Sequence, residues 1–176
     1  RRERRKQLFP QLAIFWLLGL AVMAPSAQTQ ESSNDPDVVF NQAIHDFFSG
    51  DIKKSANAFD QLVALAPDST PRLWQRGIVL YYAGRYDDCR KQFESHRTYN
   101  PNDVENAAWH FLCVARLESP EQARLKLLPV GPDSRLPMHE VYGLFAGDLT
   151  ANEVLASTKG GLSAEFFANL YLGLHA

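Results

Sequence analysis

GDIKKSANAFDQLVALAP, from Gly50 to Pro67, and GRYDDCRKQFESHRTYNP, from Gly84 to Pro101, are the two stretches that decide the fold. Gly50 and Gly84 stand 34 residues apart, and so do Ile52 and Tyr86, Phe59 and Phe93, and Pro67 and Pro101. Self-similarity at a fixed period of this size marks a chain built from stacked supersecondary units. Each mark has a physical job. Gly50 and Gly84 close a helix with a left-handed residue at no steric cost. Pro67 and Pro101 cannot continue a helix interior, so they stop the helix that follows each glycine. Asp51 and Asp103 are candidate helix caps. Between these marks apolar residues recur at helical spacing, as in Phe59, Leu62, Val63 and Leu65.

The period and its marks resemble the tetratricopeptide repeat (TPR), a helix–turn–helix unit. At the places where that pattern asks for small or apolar residues, the stretch from Pro36 to Ser69 supplies Ala43, Ser55, Phe59 and Leu62. The stretch from Thr70 to Asp103 supplies Gly77, Cys89, Phe93 and, as a departure, His96. The resemblance implies an all-α, TPR-like α-solenoid of antiparallel helix pairs, with units at about 36–69, 70–103, 104–132 and 133–161. The start of another lies at 162–176, where the apolar ending implies a truncated array. In the third unit Ser119 caps a helix with Pro120 at its first position. A proline-bearing loop from Pro129 to Pro137 follows. In the fourth, Gly147 and Leu149 echo Gly50 and Ile52.

Stacked helix pairs make a concave face lined by first helices. The resemblance assigns to it Asp37, Phe40, Ile44 and Phe47, then Pro71, Trp74, Ile78 and Tyr81, then Glu105, Ala108, Leu112 and Ala115. Phe40, Ile44, Phe47, Trp74, Ile78, Tyr81 and Leu112 are the partner-binding candidates among them. Such a stripe suits an apolar partner helix or an extended peptide with bulky side chains. The plainer reading of each is ordinary core between helices. The Lys, Arg and Asn set with which some TPR proteins clamp a carboxylate is missing.

Ahead of the repeats, Arg1, Arg2, Arg4, Arg5 and Lys6 precede an uncharged run, LAIFWLLGLAVMA, from Leu12 to Ala24. Small residues and a polar stretch come next. This order is that of a signal peptide over 1–27, or of an uncleaved N-terminal anchor. Residues 28–35 read as a linker. Export plus repeat type gives a distant likeness to periplasmic NlpI-type TPR proteins, carried also by the YLGL segment, although no Cys near residues 21–28 offers a lipid attachment. The expected protein is therefore exported, periplasmic, secreted or in an organelle lumen. It is expected to be a non-catalytic scaffold or adaptor for a protein or peptide partner, or alternatively a membrane-anchored subunit or assembly factor. Membrane contact is expected only through the N-terminal segment.

With a net charge of −2, and no basic run beyond the first residues, nucleic acid is not an expected partner. The five histidines form no HExxH or other metal spacing. Glu105 and His110 lie about 140° apart around a helix of 3.6 residues per turn. No phosphate loop or GxSxG occurs, so no metal, cofactor or catalytic residue is expected. An enzyme site in the irregular 129–176 region is the rival reading. Cys89 and Cys113 read as two buried thiols, with a disulfide as the alternative.

Overall fold

A computed structural model describes residues 34–176. The signal or anchor segment and most of the linker lie outside the described residues. Among the described residues every regular element is helical. The α-helices are α1 (Pro36–Phe48), α2 (Ile52–Leu65), α3 (Trp74–Tyr82), α4 (Tyr86–Tyr99) and α5 (Val104–Leu117). They continue with α6 (Pro120–Leu125), α7 (Met138–Ala146), α8 (Ala151–Ser157) and α9 (Leu162–His175). A 3-10 turn, Pro67–Arg72, joins α2 to α3. No helix of the described residues is long and apolar enough to cross a membrane.

The period read from the sequence is the period of the helices. α1 and α3 end at Phe48 and Tyr82, and α2 and α4 begin at Ile52 and Tyr86 and end at Leu65 and Tyr99. Gly50 (φ 81°), Gly84 (φ 73°) and Gly147 (φ 87°) all take the left-handed conformation at their turns. Consecutive helices pack in adjacent pairs. Contacts roughly symmetric about the turns set α1 against α2, and α4 against α5, in antiparallel sense. Ser55 Oγ donates to the Ala43 carbonyl at 2.7 Å across the α1–α2 turn, and Asn106 Nδ2 to the Phe93 carbonyl at 3.1 Å across the α4–α5 turn. Between α3 and α4 the Phe93 ring lies so close to Gly77 that a Cβ there would sit 2.5 Å from it.

Two departures from the repeat have local causes. The second unit opens with the 3-10 turn, and α3 starts only at Trp74. The Thr70 carbonyl accepts from Gln92 Nε2 at 2.8 Å, and the Pro71 carbonyl accepts from His96 Nδ1 at 2.7 Å. Those α4 side chains satisfy carbonyls that an α-helical turn would otherwise use. Buried at the place where the repeat usually holds a small residue, His96 thereby has a structural task. In the third unit Ser119 Oγ accepts from the Gln122 N–H and Pro120 opens α6, as expected, but α6 lasts six residues. Asp51, expected as a cap, makes no cap bond; its carboxylate takes Lys54 Nζ at 2.7 Å instead. Asp103 does cap α5, accepting from the Glu105 N–H at 3.1 Å.

The core divides in two. Val39, Ala43, Ala56, Phe59, Leu62, Leu73 and Val79 bind α1, α2 and α3 together. A larger cluster joins α3 through α9 and centres on α5. From Ala107 to Val114 every α5 residue is buried, because α3, α4, α6, α7 and α9 surround it. Cys89 and Cys113 lie fully buried on α4 and α5 with Cα atoms 6.0 Å apart, and they are paired as a disulfide. The expectation of two free thiols is corrected accordingly. Ser55 holds the place in the first unit that Cys89 holds in the second. It bonds within its own pair, whereas Cys89 ties its pair to the next.

Two glycines give opposite expectations. Gly77→Ala forces the Phe93 ring aside and costs about 1–3 kcal/mol, as overpacking does. Gly173 lies in α9 with nothing within 4 Å of a new Cβ, so Gly173→Ala stabilises by roughly 0.5–1 kcal/mol. Denaturant unfolding of the two variants measures both; a neutral Gly77→Ala contradicts the tight α3–α4 approach.

Candidate functional site

Side chains of α1 and α3 beside the first core form the walls of a groove of about 440 Å³. Phe40, Ile44 and Phe47 recur along one face of α1, and Trp74 and Ile78 along one face of α3. Phe48, Val79 and Gln75 complete the lining. Phe40, Ile44, Phe47 and Ile78 are half-buried, and Trp74 keeps 46 % of its surface exposed. Phe40 meets Phe59 edge-on at 6.1 Å, so the groove floor rests on the core. Gln75 brings the one amide, and its Oε1 has no hydrogen-bond partner.

Five of the seven partner-binding candidates therefore meet in one place. Tyr81 and Leu112 do not line the groove. Tyr81 packs against Tyr82, Tyr86 and Trp109 with ring centroids 5.6–5.7 Å apart. Leu112 is 6 % exposed, inside the cluster around α5. Leu112 thus faces the helices packed around α5, whereas the candidates on α1 and α3 face an open groove.

A second cleft, of about 510 Å³, adjoins the groove, with Trp74 and Ile78 lining both. This cleft is mixed in character, with Trp74, Ile78, Tyr99 and Trp109 among its lining. Arg72, His96, Asp103, Glu105, Asn106 and Arg135 surround it. Arg135 comes from the loop between α6 and α7. Its Nε donates to Asp133 at 2.9 Å, its Nη2 to Asp103 at 2.8 Å, and its Nη1 to Glu105. Tyr171 of α9 donates its hydroxyl to Glu105 at 2.6 Å. One arginine thus gathers the loop, the start of α5 and, through Glu105, the last helix. Sequence reading missed Arg135, Asp133 and Tyr171, which lie 29 or more residues from some of their partners. The long proline-bounded loop was the only signal.

Electrostatics follow the geometry. The Asp103 carboxylate raises the His96 pKa; burial opposes this, and the Pro71 carbonyl adds to it. Burial pushes Asp103 up, but His96 and Arg135 together hold it below the ordinary carboxylate value. Burial, with Glu105 beside it, pushes the Tyr171 hydroxyl far up, so it stays a donor. Elsewhere His110 is buried beside Glu94, and burial lowers its pKa. No group of three or more His, Cys, Asp or Glu among the described residues is arranged to hold a metal ion.

These features define the class: among the described residues, an all-helical fold of paired helices carrying an apolar groove and an adjoining cleft of mixed character. No protein-family model matches the chain.

The raised His96 pKa sets a pH dependence. Its stabilisation is complete below the ordinary value of 6.5 and is lost as pH rises through the raised, folded-state value. His110 and His175, lowered by burial, act in the opposite sense. Comparison of the parent with His96→Gln isolates the first effect. The stability gap is expected to be larger near about pH 5.5 than near about pH 8.5 by urea unfolding. A gap that widens with pH contradicts the His96–Asp103 pairing.

Proposed function

We propose that this protein is an exported, TPR-type scaffold that holds a partner polypeptide in the α1–α3 groove and performs no catalysis itself. The observation that carries the proposal is the groove, with aromatic and aliphatic walls drawn from two successive first helices. Large aromatic side chains held half-open on a rigid scaffold are typical energetic centres of recognition. The 34-residue register, the left-handed glycines and the antiparallel pairs support the TPR-like solenoid reading. Export is supported by the basic and apolar N-terminal sequence and by the Cys89–Cys113 pair, since such bonds persist in oxidising compartments. Retained as an anchor, the same N-terminal segment makes the scaffold a membrane-tethered subunit.

Selection from a random peptide library on the full chain tests the binding reading. Selected peptides are expected to carry bulky apolar residues. The double variant Phe47→Ala, Trp74→Ala should weaken them by roughly 30-fold or more, the scale of an aromatic anchor. Unchanged affinity in the folded double variant removes the groove from the account. The export reading has its own check. Protein collected from an oxidising compartment and denatured without reductant should take up no thiol alkylating reagent. Alkylation of both cysteines contradicts it.

A further inference from the structure

The groove between α1 and α3 offers a partner almost nothing to hydrogen-bond. Apart from the Trp74 indole and the Gln75 amide, its lining side chains are hydrocarbon: Phe40, Ile44, Phe47, Phe48, Ile78 and Val79. Backbone groups inside α1 and α3 are taken up within those helices. An extended segment pressed into the groove would set its own N–H and C=O groups against aliphatic and aromatic walls, and each one left unpaired weakens binding. A helix brings its backbone bonds with it and presents side chains alone. The walls are also built for rows of side chains. Phe40, Ile44 and Phe47 repeat at helical spacing on α1, as Trp74 and Ile78 do on α3. Rows of that spacing pack against rows of the same kind. From Phe40 to Phe48 the α1 wall runs about 12 Å, a little over two helical turns.

The chain itself shows what covers such a face. Ala108 and Leu112 hold on α5 the places that Trp74 and Ile78 hold one period earlier on α3, and Phe40 and Ile44 two periods earlier on α1. On α5 they are buried, in the cluster that α7 and α9 complete. The Tyr171 hydroxyl of α9 reaches Glu105 on the same face. Where this face is closed, helices close it. We propose that the partner polypeptide enters the α1–α3 groove as an amphipathic helix; this rests on the groove reading and adds the conformation of the partner. The partner helix carries apolar residues at i, i+3 or i+4, and i+7, and lies along α1 and α3 with its polar side toward water.

The test uses the full chain and labelled peptides read by fluorescence anisotropy. Two peptides share one composition of Leu, Phe, Ala, Glu and Lys. The first spaces Leu and Phe as one face of a helix, and the second alternates them as a strand would. A third keeps the helical order with one Pro at the centre of its polar face. The helical order is expected to bind at least about tenfold more tightly than the alternating order. The central Pro should weaken it by about 100-fold, the scale of a broken helix. Carbon-13 shifts of the bound peptide should be helical. The Phe47→Ala, Trp74→Ala variant should lose the preference for the helical order. Should that variant fail to fold, Trp74→Ala alone, at an exposed side chain, takes its place. Equal binding of the two orders, or a preference for the alternating one that the groove variant abolishes, overturns the inference and leaves the groove standing. A helical preference that survives in the variant places the helix elsewhere and overturns it as well. Light scattering on the chain alone covers the remaining occupant. Self-association that the groove variant abolishes assigns the groove to a second copy and overturns the partner helix. Failure of every peptide to bind removes both the helix and the groove.

Discussion

The Phe93 ring pressed against Gly77 is the contact on which the rest of the structure depends. A side chain at Gly77 would hold α4 away from α3. Without that approach the Arg76 guanidinium would not reach Gln92 of α4, at 3.0 Å. Nor would His96 and Gln92 reach the carbonyls of the 3-10 turn. The first unit solves the same problem with Ala43 and Phe59, both fully buried. A large ring opposite a small residue in each of the first two units explains why the period matters there. It fixes how closely the helices of a pair approach, and the open α1–α3 face follows from it. Asp60 strengthens the junction between the units. Burial pushes its carboxyl up, but Arg85 and Arg76 from the second unit hold it below its ordinary value.

Much of this was legible because the responsible residues are local. A glycine that must turn left-handed and a proline that cannot continue a helix announce themselves in the sequence. Phe40, Ile44, Phe47, Trp74 and Ile78 come together because α1 and α3 keep their repeat geometry. Leu112 failed for a physical reason. Its helix has the same pattern as α1 and α3, yet α7 and α9 pack on it, and only the later chain determines that. Tyr81 lies outside the groove because Tyr86 and Trp109 draw it into an aromatic cluster.

Long-range polar contacts left less trace. Arg135 reads as one more charged loop residue until the loop is seen folded over the start of α5. Asp103 was legible as a cap and illegible as the hinge between His96 and Arg135. The cysteines illustrate the same limit, since spacing says nothing of whether two residues on packed helices face each other. Here their Cα atoms are 6.0 Å apart, and the pair secures α4 to the helix at the centre of the larger core.

A nuclear Overhauser experiment on the isotope-labelled protein tests the central contact most directly. It reads the approach of the Gly77 α-protons to the Phe93 ring in solution. Strong cross-peaks between them are expected, since ring carbons lie within van der Waals reach of the glycine. Their absence, with both signals assigned and the chain folded, would mean that α3 and α4 do not interlock and that the groove is shaped by something else.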